Sequence, residues 1–280
     1  MGEIVMAAKI THVPTIWMSY TIPKYKGLRD SALEGYASLR AEAQEAGVET
    51  FVVFDTHWLV NQGFHMNAKP RHEGVFTSHE LPHMLNDMAY DYRGDSELAR
   101  LIETELREAG ERAIAHEASH LGLEYGTLVP MHFINEGGYA RVLPVAVNQF
   151  SSIEENRRWG EAVARAVERS GRRVALLASG SLSHAFWPNH LSVEGVNRVN
   201  GAFNEVVDRH VLELWEQGRW EEFLDMLPDY AVKCEGEGGM NDTALLFGAL
   251  GWKAYSGRPK VHTPYFGSSG TGQVNVSFSV

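Results

Sequence analysis

Two short stretches of this sequence, Phe51-Val52-Val53-Phe54 and Val174-Ala175-Leu176-Leu177-Ala178, are apolar at every position and then stop abruptly at polar residues. A strand with one wet face alternates polar and apolar side chains, so an unbroken apolar run of this length reads as a strand covered on both faces. Cover on both faces requires helices, and the intervening segments supply them. Leu28 to Ala46 places Leu28, Leu33, Tyr36, Leu39 and Ala43 near helical spacing and ends at Gly47. Asp95 reads as the N-cap of a helix reaching about Ala109, closed by Gly110. Ser152 and Glu155 form a capping-box pattern opening a helix to about Arg169. Val196 to Gln217 reads as a long helix, Trp220 to Leu227 as a short one ended by Pro228, and Asp242 to Leu250 as another. Further strands are expected at Ile4–Ile10, Arg141–Val147, Lys260–Tyr265 and Gln273–Phe278.

This alternation predicts an α/β protein: a layered α/β/α single domain over residues 1–280, with a largely parallel central sheet. No repeat or low-complexity linker divides the chain. Residues 62–92 read as an irregular excursion, and an excursion of that length is commonly functional. The balance of 25 basic against 36 acidic residues, a formal charge of −11, argues against a nucleic-acid-binding face. A single cysteine, Cys234, excludes an internal disulfide framework and a multi-cysteine zinc site. No apolar run approaches a membrane span, so a cytoplasmic protein is expected.

In open α/β sheets, ligands bind beyond the carboxyl ends of the strands. Three of the 13 histidines fall there. His12 follows the first strand, His57 follows Thr50–Phe54 in Asp55-Thr56-His57-Trp58, and His184 follows the Val174 run in Ser179-Gly180-Ser181-Leu182-Ser183-His184. Imidazole is the commonest metal ligand and the usual acid–base group near neutrality. Glu237, set between Gly236 and Gly238 ahead of a helix, is a candidate carboxylate ligand, with Glu235 as its competitor. Two neutral imidazoles and a carboxylate leave open coordination positions and suit non-haem Fe(II). His79-Glu80-Leu81-Pro82-His83 has the spacing of the zinc-peptidase motif, but Pro82 opposes the helix that motif needs. Ser181 and Ser183 lack G-x-S-x-G spacing, and the glycine-rich run Ser268 to Gly272 lacks the lysine of a phosphate loop.

Several longer stretches carry a resemblance: Ala8-Lys9-Ile10-Thr11-His12-Val13-Pro14, Phe54-Asp55-Thr56-His57-Trp58-Leu59-Val60-Asn61, Leu123-Glu124-Tyr125-Gly126-Thr127-Leu128-Val129-Pro130, Ala178 to His184, Gly236-Glu237-Gly238 and Ser268 to Asn275. In these the sequence resembles the class III, LigB-type extradiol ring-cleavage dioxygenases over nearly its whole length. The resemblance implies Fe(II), with Mn(II) as the alternative, held by His12, His57 and Glu237, and His184 as the acid–base residue. It also implies a catechol and O2 as substrates. Within the family the likeness points to the branch that opens 3,4-dihydroxyphenylacetate to 5-carboxymethyl-2-hydroxymuconate semialdehyde. Protocatechuate and 2,3-dihydroxyphenylpropionate are the alternative catechols. Many relatives carry Asp-His-Gly where this chain has Glu124-Tyr125-Gly126, so Tyr125 is expected to offer a hydroxyl where they have imidazole. Two rivals are a zinc or manganese hydrolase using the same His12, His57 and Glu237, and a non-enzymatic metal-binding or interaction module, which would be expected to disturb a ligand set that is filled here. Lys24, Lys26, Lys69 and Arg71 are candidates to meet a substrate carboxylate. A homo-oligomer that needs no separate lid subunit is expected.

Overall fold

The computed structural model describes residues 1–280. The chain begins with β1 (Glu3–Ile10), then α1 (Pro14–Thr21), α2 (Asp30–Glu45) and β2 (Thr50–Val60). Three short strands follow, β3 (Phe64–Asn67), β4 (Arg71–Phe76) and β5 (Met88–Arg93), then α3 (Ser96–Glu108), β6 (Ala113–His116) and α4 (Tyr125–Ile134). The second half runs β7 (Arg141–Asn148), α5 (Ile153–Ser170), β8 (Arg173–Ser179), α6 (Ala202–Glu216), α7 (Trp220–Lys233), α8 (Asn241–Ala249), β9 (Pro259–Ser268) and β10 (Thr271–Phe278).

Eight strands form one sheet in the order β6-β3-β7-β2-β8-β1-β10-β9, while β4 and β5 pair with each other alone. The centre, β7-β2-β8-β1, is parallel throughout; the C-terminal β10 and β9 add antiparallel strands at one edge, and β3 meets β7 antiparallel. The continuous apolar runs lie at the centre of this sheet. Their side chains point alternately to opposite faces. Val52, Phe54, Val174, Leu176 and Ala178 join one core with α3, α5, α6, α7 and α8. Phe51, Val53, Ala175 and Leu177 join a second core with α1, α2 and α4. The layered arrangement expected from the sequence is therefore present, with a more mixed sheet edge.

The caps of α3 and α5 form as read. Asp95 accepts from Leu98 N, and Ser152 and Glu155 cap each other's backbone groups. Three expectations change. Pro228 does not end α7, which continues to Lys233; Pro228 faces solvent, where water can satisfy the carbonyl it frees. The helix expected from Val196 starts only at Ala202, after Gly201 takes φ +90°. The excursion after β2 contains β3, β4 and β5 and is not irregular throughout. No helix is long and apolar enough to cross a membrane.

Candidate metal centre

His12 lies two residues beyond the end of β1 and two before Pro14 opens α1. Its ring is nearly inaccessible, and its tautomer follows from its surroundings. Ser179 Oγ donates to the Gly126 carbonyl at 2.5 Å, so the same oxygen must accept from His12 Nδ1, 2.9 Å away. The lone pair of His12 is thereby left on Nε2, which lies 3.1 Å from Glu237 Oε1. Ser179 terminates β8, so two adjacent parallel strands and the start of α4 together orient one imidazole.

His57 is placed by a break in the β2–β7 ladder. Pairing runs Asp55 to Ala146 and resumes at Leu59 to Val147, so the intervening residues bulge out of the sheet. Asp55 holds the bulge: Oδ1 accepts from the backbone N of His57 (2.8 Å) and of Trp58 (3.2 Å), and Oδ2 accepts from Thr127 Oγ1 (2.7 Å). Gly126 packs directly against this carboxylate; a Cβ there would stand 2.1 Å from Asp55 Oδ1. The bulge presents His57 Nε2 at 3.5 Å from Glu237 Oε1. His57 thus lies within a longer β2 and not beyond its end.

Glu237 sits in a tight turn in which Gly238, Gly239 and Met240 all have positive φ. Its Oε1 accepts from Thr56 Oγ1 and its Oε2 from Ser181 N, each at 2.5 Å. Burial alone pushes its carboxyl pKa up. The neighbouring His12 and His184 imidazoles, with His57, outweigh that and hold it well below the usual carboxylate range. Glu235, the competing carboxylate, is exposed. The ligand atoms of His12, His57 and Glu237 lie within 4.8 Å of one another.

This donor set fits a divalent cation. An imidazole lone pair and a carboxylate oxygen are both acceptors, and at 3.1 Å they need a shared positive charge between them. Two nitrogens and one oxygen from one side leave the remaining positions free.

His184 lies across Glu237, with Nε2 3.8 Å from Oε2. Burial lowers its pKa, as do the nearby His57 and His12, against the upward pull of Glu237, so the neutral imidazole is favoured. Tyr125 begins α4 and packs against His57 with the rings tilted by 34° and their centroids 3.7 Å apart; its hydroxyl is 3.5 Å from Glu80 Oε2. Burial, reinforced by the charge of Glu80, raises the phenol pKa and keeps the proton in place.

All five residues line one cavity of about 780 Å³. Its walls include Leu81, Met84, Phe186, Trp187, Val193 and Val196. None of Lys24, Lys26, Lys69 and Arg71 reaches it. Arg71 pairs with Asp91, and Lys69 Nζ donates to the Ser119 carbonyl. The segment His79 to His83 forms turns and no helix, as Pro82 required, yet Glu80 and His83 line the cavity. Neither stands out as a site residue in the sequence, nor do the orienting roles of Asp55 and Ser179. Asp55 could have been found from its place directly before Thr56-His57, where an aspartate commonly caps the backbone that follows.

Comparison with known proteins places the chain in a family. The family described as the catalytic LigB subunit of aromatic ring-opening dioxygenase matches residues 6–279. A 3,4-dihydroxyphenylacetate 2,3-dioxygenase from Escherichia coli is 44% identical over 261 residues, covering 92% of this chain and 94% of that one. The beta subunit of a 2-aminophenol 1,6-dioxygenase from a Pseudomonas species is 26% identical over 253 residues, covering 84% and 82%. Among solved structures, an uncharacterized protein from Escherichia coli K12 has the same fold, with a TM-score of 0.65 at 15% identity over 97% of this chain and 98% of that one.

Proposed function

Because the chain belongs to the LigB family of aromatic ring-opening dioxygenases, we propose that it is an extradiol dioxygenase of 3,4-dihydroxyphenylacetate. The product is 5-carboxymethyl-2-hydroxymuconate semialdehyde. The observation that carries the substrate is the near full-length, 44% identical relative acting on that catechol. In this reading residues 1–280 form one catalytic domain, and Fe(II) is held by His12, His57 and Glu237.

Held by His12, His57 and Glu237, Fe(II) would supply redox-active Lewis-acid chemistry to a catechol and O2. The protein's own groups handle the protons and the solvent. His184, neutral at rest, takes a proton from a catechol hydroxyl and later returns it as a general acid. Tyr125 keeps its phenol proton and donates it in a hydrogen bond to a substrate oxygen. Glu237 contributes a full negative charge opposite His184, which stabilises the imidazolium once formed. The apolar walls offer the reacting ring a largely non-polar surface.

The chain supplies its own wall through Phe186, Trp187, Val193 and Val196, which supports a site that acts without a lid subunit, in what we take to be a homo-oligomer. A buried free Cys234 supports a reducing, cytoplasmic setting. The test is turnover of 3,4-dihydroxyphenylacetate by protein reconstituted anaerobically with Fe(II), following oxygen uptake and the yellow ring-fission product together. Protocatechuate and 2,3-dihydroxyphenylpropionate serve as comparison substrates. Fastest cleavage of 3,4-dihydroxyphenylacetate is expected; iron-loaded protein inert to every catechol would overturn the reading.

A further inference from the structure

Asp208 on α6 is fully buried, and none of its hydrogen-bond donors is a cation. Tyr230 of α7 and Tyr265 of β9 each donate a hydroxyl to it at 2.5 Å, and Ser183 donates both Oγ (2.7 Å) and backbone N (3.3 Å). Gly272 of β10 completes the enclosure, since a Cβ there would lie 1.9 Å from Asp208 Oδ2. A buried carboxylate is expensive to desolvate, and well-packed apolar residues brace a core at least as well. The geometry shows what this carboxylate does that an apolar group could not: it grips Ser183 by two atoms, one residue before His184.

The backbone around Ser183 is clamped in the same way. Leu182 N donates to Gly272 O (2.8 Å), Gly272 N to Ser183 O (2.9 Å), and Glu237 N to Leu182 O (3.2 Å). His184 is tied through its backbone alone, its N donating to Cys234 O at 3.3 Å and its backbone bridging Thr271. Ser183 is thus the residue next to His184 whose side chain is held by a buried carboxylate before the imidazole enters the cavity.

We propose that Asp208 is a positioning residue for His184, acting through Ser183 to fix the backbone from which the imidazole reaches the substrate. The proposal rests on His184 being the acid–base residue. It gives Ser183, a residue with no role as a nucleophile, a defined function in the reaction.

The test compares two variants of the iron-loaded enzyme. Ser183→Ala cuts the side-chain link and leaves Asp208 with both tyrosines. Tyr255→Phe removes a hydrogen bond of similar length, to Ser279 O at the far end of β10. Ser183→Ala is expected to lower kcat about 10- to 100-fold, the penalty of a misplaced reacting group, with KM and iron content within about twofold. Tyr255→Phe is expected to lower Tm and leave kcat within about twofold of the wild type. Hydrogen exchange gives a readout independent of turnover: Ser183→Ala should speed exchange over residues 182–186 and leave residues 10–13 and 235–239 unchanged. A kcat within twofold of the wild type in Ser183→Ala, or unchanged exchange over 182–186, overturns the proposal. Protein inert to all catechols refutes the assigned activity instead, and exchange alone then decides whether Asp208 holds the His184 segment.

Discussion

His12 and Glu237, on the floor of the cavity, expose 2% and 4% of their surfaces, whereas Phe186 and Val193 on its wall expose 58% and 84%. The floor is built from the ends of β1 and β8, the bulge in β2 and the Glu237 turn. There each orienting group is itself oriented: Ser179 by Gly126, Asp55 by Thr127, and Glu237 by Thr56 and Ser181. The wall is built from the turns around Glu80 and the chain between β8 and α6, where Glu80 and Phe186 have few partners. Chemistry shared by a family needs fixed distances and so sits on strands, while recognition can change with the loops.

The sharpest way to break this contrast is at the floor. Glu237→Gln replaces an oxygen by an amide N–H group aimed at His12, so iron content is expected to fall to background and turnover with it. Metal analysis checks this, and an iron-replete Glu237→Gln protein would remove Glu237 from the ligand set. His184→Ala is the next largest effect. It should keep its iron while kcat falls about 10²- to 10⁴-fold, the usual contribution of general acid–base catalysis. Equal loss of metal and rate would make His184 a ligand.

The same contrast explains what was legible in the sequence. His12, His57 and His184 stood out because a parallel sheet delivers strand ends to one edge, and the strands themselves were unbroken apolar runs. The recognition half gave no such signal. Glu80 sits among turns, and its place opposite Tyr125 depends on the path of residues 62–94. The helices α1 and α4 were missed for a different reason. In α4 eight residues including Tyr125, Leu128, Val129 and Met131 are buried, so no polar stripe marks a helical period, and Pro130 lies inside it. Asp208 was invisible because its partners come from residues 183, 230 and 265, which only the fold brings together.

A wall substitution should produce a smaller and different effect. Phe186 packs edge-on against His184 at 4.6 Å and faces the cavity mouth. Phe186→Ala is expected to raise KM several-fold, about 1 kcal/mol of lost contact, with iron content unchanged and kcat altered less than KM. A change in kcat with KM constant would place Phe186 with the floor instead.

The smallest expected effect concerns how the wall-bearing excursion is attached to the sheet. His72 is the only buried residue of β4, and its Nε2 donates to the Val142 carbonyl of β7 at 3.2 Å. Burial, aided by the charge of Lys69 and opposed by the Val142 bond, lowers its pKa from 6.5 to about 4. The folded protein therefore binds this proton less readily than the unfolded chain, so stability present above pH 6.5 is lost as pH falls towards 4. The linkage amounts to roughly 2 kcal/mol at pH 5, where the unfolded imidazole is almost fully charged and the folded one is not. His72→Gln keeps a donor for Val142 and cannot titrate. Denaturant unfolding at pH 7 and pH 5 should therefore show a smaller acid loss in His72→Gln than in the wild type, by about that amount. Hydrogen exchange at pH 5 should rise first over β4 and β5 and last at His12 and His184, because protonating His72 releases the excursion while the strand ends stay paired. Equal acid losses in the two proteins would mean that His72 does not tether the excursion, and that the wall is held by the β5 core residues Met88 and Tyr92 instead.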